Sequence, residues 1–366
     1  MENLKNKELK TPLDYAKAAI DTMMRKYEAP MLPPVGHFHY HQGVFLSGVY
    51  SNYLLCKDET YFQYIKDWVD AMLDEDGNIK EYGKEHLDDI QPGNLLFPIY
   101  ERTGDIKYKR ILEELMDIMT RYPRNKEGGF WHMKLFPNQM WLDGLYMGGP
   151  FVCKCADLFN KPEYFDISIE QAILMQEKTK DSKTGLWYHA YDCDRKAEWA
   201  DKETGKAPEF WGRSIGWVPV AVLEELLYIP DTHEKFDDMC KLVRDLLVAI
   251  CNFQSEEGRW YQVVDKGHMK ENWLENSCSC LYTAAIAKAV RMGILDAGYI
   301  VNAKKGYEAV INSLTFEGED IQIGNVCIGT GVGDYKFYCD RPTSVNDLHG
   351  VGAFLIMCGE MQRGKF

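Results

Sequence analysis

Two kinds of apolar segment alternate along nearly the whole chain. One kind is striped: Phe62, Ile65, Val69 and Met72 recur at i, i+3, i+7 and i+10, the spacing of a helix with one buried face. Residues 58–65, 105–111 and 161–169 share one pattern, a polar or turn residue followed by aromatics and aliphatics at helical spacing. Further striped stretches run from about 233 to 249 and from about 296 to 314. The first striped helix opens the chain, with Thr11 as N-cap, Pro12 at the first helical position, and Leu13, Ala16, Ile20 and Met23 on one face. The other kind is apolar nearly all round, and its first three members contain glycine. It begins near Gln42, Gln91, Leu142, Ser214, Asn276 and Asn346.

Helices apolar on every side belong inside, and striped helices belong outside. Six of each, alternating, predict an all-α (α/α)6 barrel of six helical hairpins, with short β segments in the rim loops. The inner helices then run parallel and gather their N-termini at one mouth. Gly129-Phe-Trp-His, Gly185-Leu-Trp-Tyr-His and Gly258-Arg-Trp-Tyr-Gln each lead from an outer helix to the next inner one, so aromatic residues are delivered to that rim. The alternative is an open solenoid, but its repeats usually share a fixed period, whereas these units vary from roughly 50 to 70 residues. No Pro-, Gly- or Ser-rich linker divides the 366 residues, so residues 1–366 are expected to form one barrel domain.

Charge narrows the partners. A formal net charge of −14, spread along the chain, repels nucleic acid and anionic membrane, and neither is expected as a partner. The first residues contain no apolar run, and no stretch is long and apolar enough to span a bilayer. Eleven scattered cysteines then read as reduced thiols, and the expected location is the cytoplasm. Oligomeric state is not readable.

The mouth carries the candidate chemistry. Trp131, Trp141, Trp187, Trp211, Trp217 and Trp260 fall on or near it, and a flat indole suits the apolar face of a pyranose. Asp88 and Asp143 stand at the starts of the second and third inner helices. Asp143 is set among aromatics and glycines; Gly144, Gly148 and Gly149 leave room for a ligand against the backbone. An anionic sugar needs a positive focus, which six helix N-termini and the planar fork of Arg213 supply. His132 and His189 end two of the aromatic connections and are candidate hydrogen-bond donors.

Three segments then carry a resemblance: Gln139-Met-Trp-Leu-Asp-Gly-Leu-Tyr-Met-Gly-Gly-Pro-Phe, Pro208-Glu-Phe-Trp-Gly-Arg-Ser-Ile-Gly-Trp, and Cys280-Leu-Tyr with Ala285-Ile-Ala-Lys. The chain resembles glycoside hydrolase family 105, the unsaturated rhamnogalacturonyl hydrolases, from His39 through the 346–354 segment. The resemblance implies the six-hairpin barrel and no cofactor. It also implies cleavage of small oligosaccharides bearing a 4,5-unsaturated galacturonyl group linked to rhamnose, the fragments of pectin breakdown. By motif position Asp143 corresponds to the acid–base residue and Asp88 to its supporting carboxylate. Tyr40, His189, Trp211, Arg213 and Trp217 fall where related enzymes contact the sugar, with His132 and Trp141 beside them.

The substrate's electronics set the reaction. Protonated Asp143 would deliver a proton to C4 of the enol ether, and ionised Asp143 would then take one from the water adding at C5. Asp88 and the substrate carboxylate are expected to raise the Asp143 pKa. The competing reading is a conventional inverting glycosidase with Asp88 and Asp143 as acid and base. An epimerase using His39 and His41, or a non-catalytic sugar-binding protein, fits less well. No metal site is expected: the cysteine pairs 153/155 and 278/280 point apart on helices, and His37, His39 and His41 have no acidic cluster beside them in sequence. The glycines of 329–333 read as a tight loop near the mouth.

Overall fold

The computed structural model describes residues 9–80 and 86–366. The amino-terminal octet, included above in the stretch without an apolar run, lies outside them. Helix α1 (Pro12–Lys26) starts as its sequence dictates. The Thr11 side chain accepts from the Asp14 amide, Asp14 reaches back to the Thr11 amide, and Pro12 occupies a position that needs no donor. There follow α2 (Tyr40–Cys56), α3 (Glu59–Ala71), α4 (Leu96–Thr103) and α5 (Ile106–Thr120). Strand β1 (Gln139–Trp141) precedes α6 (Asp143–Phe159) and α7 (Glu163–Thr179), and β2 (Ala190–Asp192) precedes α8 (Gly212–Glu225) and α9 (Phe236–Asn252). Strands β3 (Trp260–Tyr261) and β4 (Leu274–Glu275) lead to α10 (Asn276–Arg291) and α11 (Ile300–Asn312). The last connection holds β5 (Thr315–Glu317), β6 (Asp320–Gln322), β7 (Val326–Cys327), α12 (Tyr335–Cys339) and β8 (Thr343–Ser344), and α13 (Leu348–Gly364) ends the chain.

Six helices form a closed ring. Helix α2 packs on the 3-10 turn Gln91–Leu95 that leads into α4, that turn on α6, α6 on α8, α8 on α10, α10 on α13, and α13 back on α2. The outer six back onto them: α1 on α13 and α2, α3 on α2, α5 on α4, α7 on α6, α9 on α8, α11 on α10. Composition decides which helix goes where. In α10 every residue from Asn276 to Ala289 is buried, whereas α9 buries one stripe, including Met239, Leu242, Val243, Leu246 and Ile250. The strands form four two-stranded antiparallel ladders, β1–β2, β3–β4, β5–β6 and β7–β8. All lie on connections from an outer helix to the next inner one, so they build one rim around the inner-helix N-termini.

Two details differ from the sequence reading. The second inner helix begins as the 3-10 turn, because Pro92 has no amide to give and Gly93 favours no one conformation; α-helical geometry starts at Leu96. The outer helices α9 and α11 begin three and four residues later than their stripes suggest, α11 after a 3-10 turn (Ala297–Tyr299) capped by Asp296. Among the described residues no helix is long and apolar enough to cross a membrane.

Candidate active site at the barrel mouth

The two ends of the ring differ in their ionisable groups. The far end holds a cavity of about 490 Å³ lined largely by the C-terminal halves of the inner helices, with Gln91, Asn94 and Tyr146 reaching it from their starts. Its charges pair among themselves: Lys288 Nζ lies 2.6 Å from Glu224, and Arg291 and Arg363 lie 2.7 and 3.1 Å from Glu360. The mouth instead gathers histidines whose Nδ1 finds no hydrogen-bond partner among the described residues, at His41, His86 and His132.

Asp143 is the first residue of α6, and the β1–β2 ladder aims it. Trp141 pairs with Ala190, and the Leu142 amide donates to the His189 carbonyl at 3.0 Å, which sets His189 beside the start of α6. His189 Nε2 lies 3.1 Å from Asp143 Oδ2, and its Nδ1 lies 2.6 Å from the Tyr338 hydroxyl. Burial pushes the Asp143 carboxyl upward, but the hydrogen bond from His189 and the electrostatic pull of the two imidazoles and of Arg213 outweigh it. The net position is below the ordinary carboxylate value. In the ligand-free protein the expected upward push from Asp88 is not among the main influences on Asp143: burial is the largest, and the donor and cationic groups around it prevail.

A stacked wall stands beside this pair. Trp141 lies between His132, at 4.3 Å and 11°, and Phe136, at 5.4 Å and 20°. Burial holds His132 below the usual imidazole value against the pull of Asp88 and Asp143, so it is neutral near pH 7. Its Nε2 lies 3.8 Å from Asp88. Asp88 and Asp89 sit on a buried 3-10 turn, Leu87–Asp89, where Asp89 accepts from His39 at 3.1 Å and lies 3.4 Å from His86. A second cluster caps α13: His349 Nδ1 is 2.7 Å from Asp347, and His349 Nε2 bonds the Cys327 carbonyl at 3.0 Å. Tyr40, at the start of α2, stacks near His41 and His349, with its hydroxyl against Gly329.

Both clusters, His39/His86/Asp88 and His41/Asp347/His349, hold three possible ligand atoms within 4.8 Å of one another. The structure thus supplies acidic neighbours that the sequence around 37–41 does not show. Burial disfavours charge on His39, but the Asp89 hydrogen bond and the Asp88 and Asp89 charges raise it. Although burial opposes it, Asp347 is held well below the carboxylate range by His349, His41 and Arg213. That guanidinium also disfavours a metal cation at the second cluster.

Several sequence-predicted residues serve packing. The Arg213 fork donates to the carbonyls of Cys327 and Ile328 at 2.6 and 2.8 Å, so it clamps the last connection onto α8 instead of presenting both arms to a ligand. Trp217 stacks on Tyr146 at 4.6 Å, one turn further along α8, and is 1% exposed. Trp187, Trp211 and Trp260 are equally buried, because the rim must cover the apolar ends of twelve helices. Trp211 nevertheless touches the site, 4.7 Å from the His189 ring. The glycines after Asp143 make room for neighbouring side chains: a Cβ on Gly144, Gly148 or Gly149 would meet Leu87, Met119 or Glu225. Tyr338 escaped the sequence reading; it lies 149 positions from the histidine it bonds, in a five-residue helix too short to show a period.

A closed (α/α)6 barrel with carboxylates, histidines and an indole wall at its mouth is the frame of a carbohydrate-active hydrolase. Residues 15–365 match the family model of Glycosyl Hydrolase Family 88. A family 105 glycoside hydrolase from C. acetobutylicum superposes with a TM-score of 0.91 and 32% identity, covering 95% of this chain and 99% of that one. A possible family 105 member from Salmonella enterica gives 0.80 and 25%, covering 90% and 84%. The Bacillus subtilis protein named unsaturated rhamnogalacturonyl hydrolase YesR is 27% identical over 79% of each chain. The chain belongs to this family 88/105 group of glycoside hydrolases and is a glycosidase.

Proposed function

We propose that the protein hydrates the C4=C5 bond of a 4,5-unsaturated galacturonyl group and releases the sugar attached to it, with Asp143 as the acid–base residue. The observation that carries this reading is the 3.1 Å contact between Asp143 and His189, which gives one carboxyl its own hydrogen-bond donor. Donation from His189 strengthens as Asp143 loses its proton, so it favours the state reached when the proton has moved to C4. The uronate carboxylate, once bound, raises the proton affinity of Asp143 and opposes the cations that lower it. Protonation of C4 leaves a cation at C5 shared with the ring oxygen. Ionised Asp143 takes a proton from water as its oxygen bonds to C5, and the hemiketal opens to free the aglycone.

The remaining roles follow from position. The His132–Trp141 stack forms the wall for the sugar, Tyr40 faces it from α2, and Asp88 orients His132 across 3.8 Å. Trp211, Trp217 and Arg213 support these groups from behind. Rhamnose as the aglycone rests on the name of the Bacillus subtilis relative. Eleven free cysteines suit a cytoplasmic location.

The test is incubation of wild type and Asp143→Asn with unsaturated rhamnogalacturonan disaccharide in heavy water. The wild type should bleach the ultraviolet absorbance and place deuterium on C4; the variant should lose at least about 10³-fold in kcat. Product without deuterium at C4, or equal turnover by the variant, would remove Asp143 from this role.

A further inference from the structure

Tyr338 is fully buried, and its ring stacks on Trp211 at 5.8 Å and 13°. Its hydroxyl oxygen accepts from the Gly333 amide at 3.2 Å and lies 2.6 Å from His189 Nδ1. Among the described residues no other hydrogen-bond acceptor for that hydroxyl is found. Its hydrogen therefore has one destination, the lone pair of His189 Nδ1; leaving a buried hydroxyl hydrogen unbonded costs about 1–3 kcal/mol. Burial also pushes the Tyr338 hydroxyl well above the usual phenol value, so it keeps that hydrogen. If Nδ1 accepts, a neutral His189 carries its proton on Nε2, facing Asp143.

We propose that Tyr338 is a positioning residue that locks His189 in the Nε2–H tautomer and so makes it a fixed donor to Asp143. Without the lock, the Nδ1–H tautomer would turn a lone pair toward the carboxylate, and the donor that favours ionised Asp143 would be lost. The imidazole would also become a second base competing for the proton intended for C4. With the lock, Asp143 faces a donor at Nε2 and not a second base.

The inference rests on the function proposed above for its kinetic arm and not for its spectroscopic one. In ligand-free protein labelled with ¹⁵N-histidine, the ring-nitrogen shifts of His189 should report a neutral Nε2–H tautomer; in Tyr338→Phe a substantial Nδ1–H population should appear. An Nδ1–H ring in the wild type, or unchanged shifts in the variant, would overturn the proposal. On the unsaturated disaccharide, Tyr338→Phe should lower kcat about 10–100-fold with KM little changed. The basic limb of its kcat–pH profile should move to higher pH, because Asp143 loses a donor to its charged form. In a His189→Gln background, where an amide can present its own N–H, the same substitution should have little further effect. An equal loss in both backgrounds would show a merely structural tyrosine. If the tautomer shifts as stated but the disaccharide is not turned over, the assigned reaction fails and the lock stands.

Discussion

Glu225, the last residue of α8, is 1% exposed, lies against Gly149 and Ser168, and has one carboxyl oxygen without a hydrogen-bond partner among the described residues. Burial pushes its pKa up from 4.5 to about 8, helped by the Glu224 charge and opposed by Ser168. Between those values the folded chain holds a proton that the unfolded chain has released. The Glu225 contribution to stability should therefore fall as pH rises from about 4.5 to about 8, by about 1.4 kcal/mol per unit. Glu225→Gln keeps the neutral shape at every pH, so it should flatten that slope and stabilise the protein by on the order of 3–4 kcal/mol at pH 8. Denaturant melts at pH 5 and pH 8 check this, and parallel slopes for the two proteins would refute it. Sequence alone marks Asp143 and His189 because each follows an aromatic connection. It does not mark Tyr338 or His349, whose partners are assembled by closure of the ring. Nor does it reveal that the Arg213 fork is occupied by carbonyls, since backbone acceptors leave no trace in side-chain pattern.

Among the helices, the contact between α2 and α13 depends on Gly352, where a Cβ would stand 2.7 Å from backbone atoms of Val44. Backbone cannot yield as a side-chain tip can, so Gly352→Ala should destabilise by about 1–3 kcal/mol, measurable as a lower denaturation midpoint with an unchanged slope. Helix number and order are legible in the alternation of striped and all-apolar segments, because burial on one side or all sides writes itself into composition. Helix starts are less legible. The entry to α4 is shaped by Pro92 and Gly93 in combination, and α12 is held by the strap around it more than by its own five residues. The six-tryptophan rim was read as a ligand surface, yet four of those indoles are nearly sealed by packing. An aromatic near a helix start looks the same in sequence whether it meets sugar or protein.

At the scale of the molecule, 56 acidic against 42 basic residues give a field that opposes an anionic sugar before the mouth can bind it. Raising ionic strength from about 10 to 150 mM shortens the screening length from about 30 to 8 Å and should weaken that barrier. The expected result is a rise in kcat/KM of about twofold, carried by KM, measured on the unsaturated disaccharide with sodium chloride. A fall would mean that the local cations at the mouth dominate at long range. Closure of the ring was inferred from unequal repeat lengths, and the packing of α13 on α2 supplies it.

The last connection crosses the mouth, where Arg213 holds its carbonyls and Tyr338 reaches His189. A nascent chain stalled before this strap would already possess Asp143 and His189, but with the imidazole unsecured and the circle of helices open. Turnover would then begin only once the chain has been made through α13, so catalysis itself reports that the ring has closed.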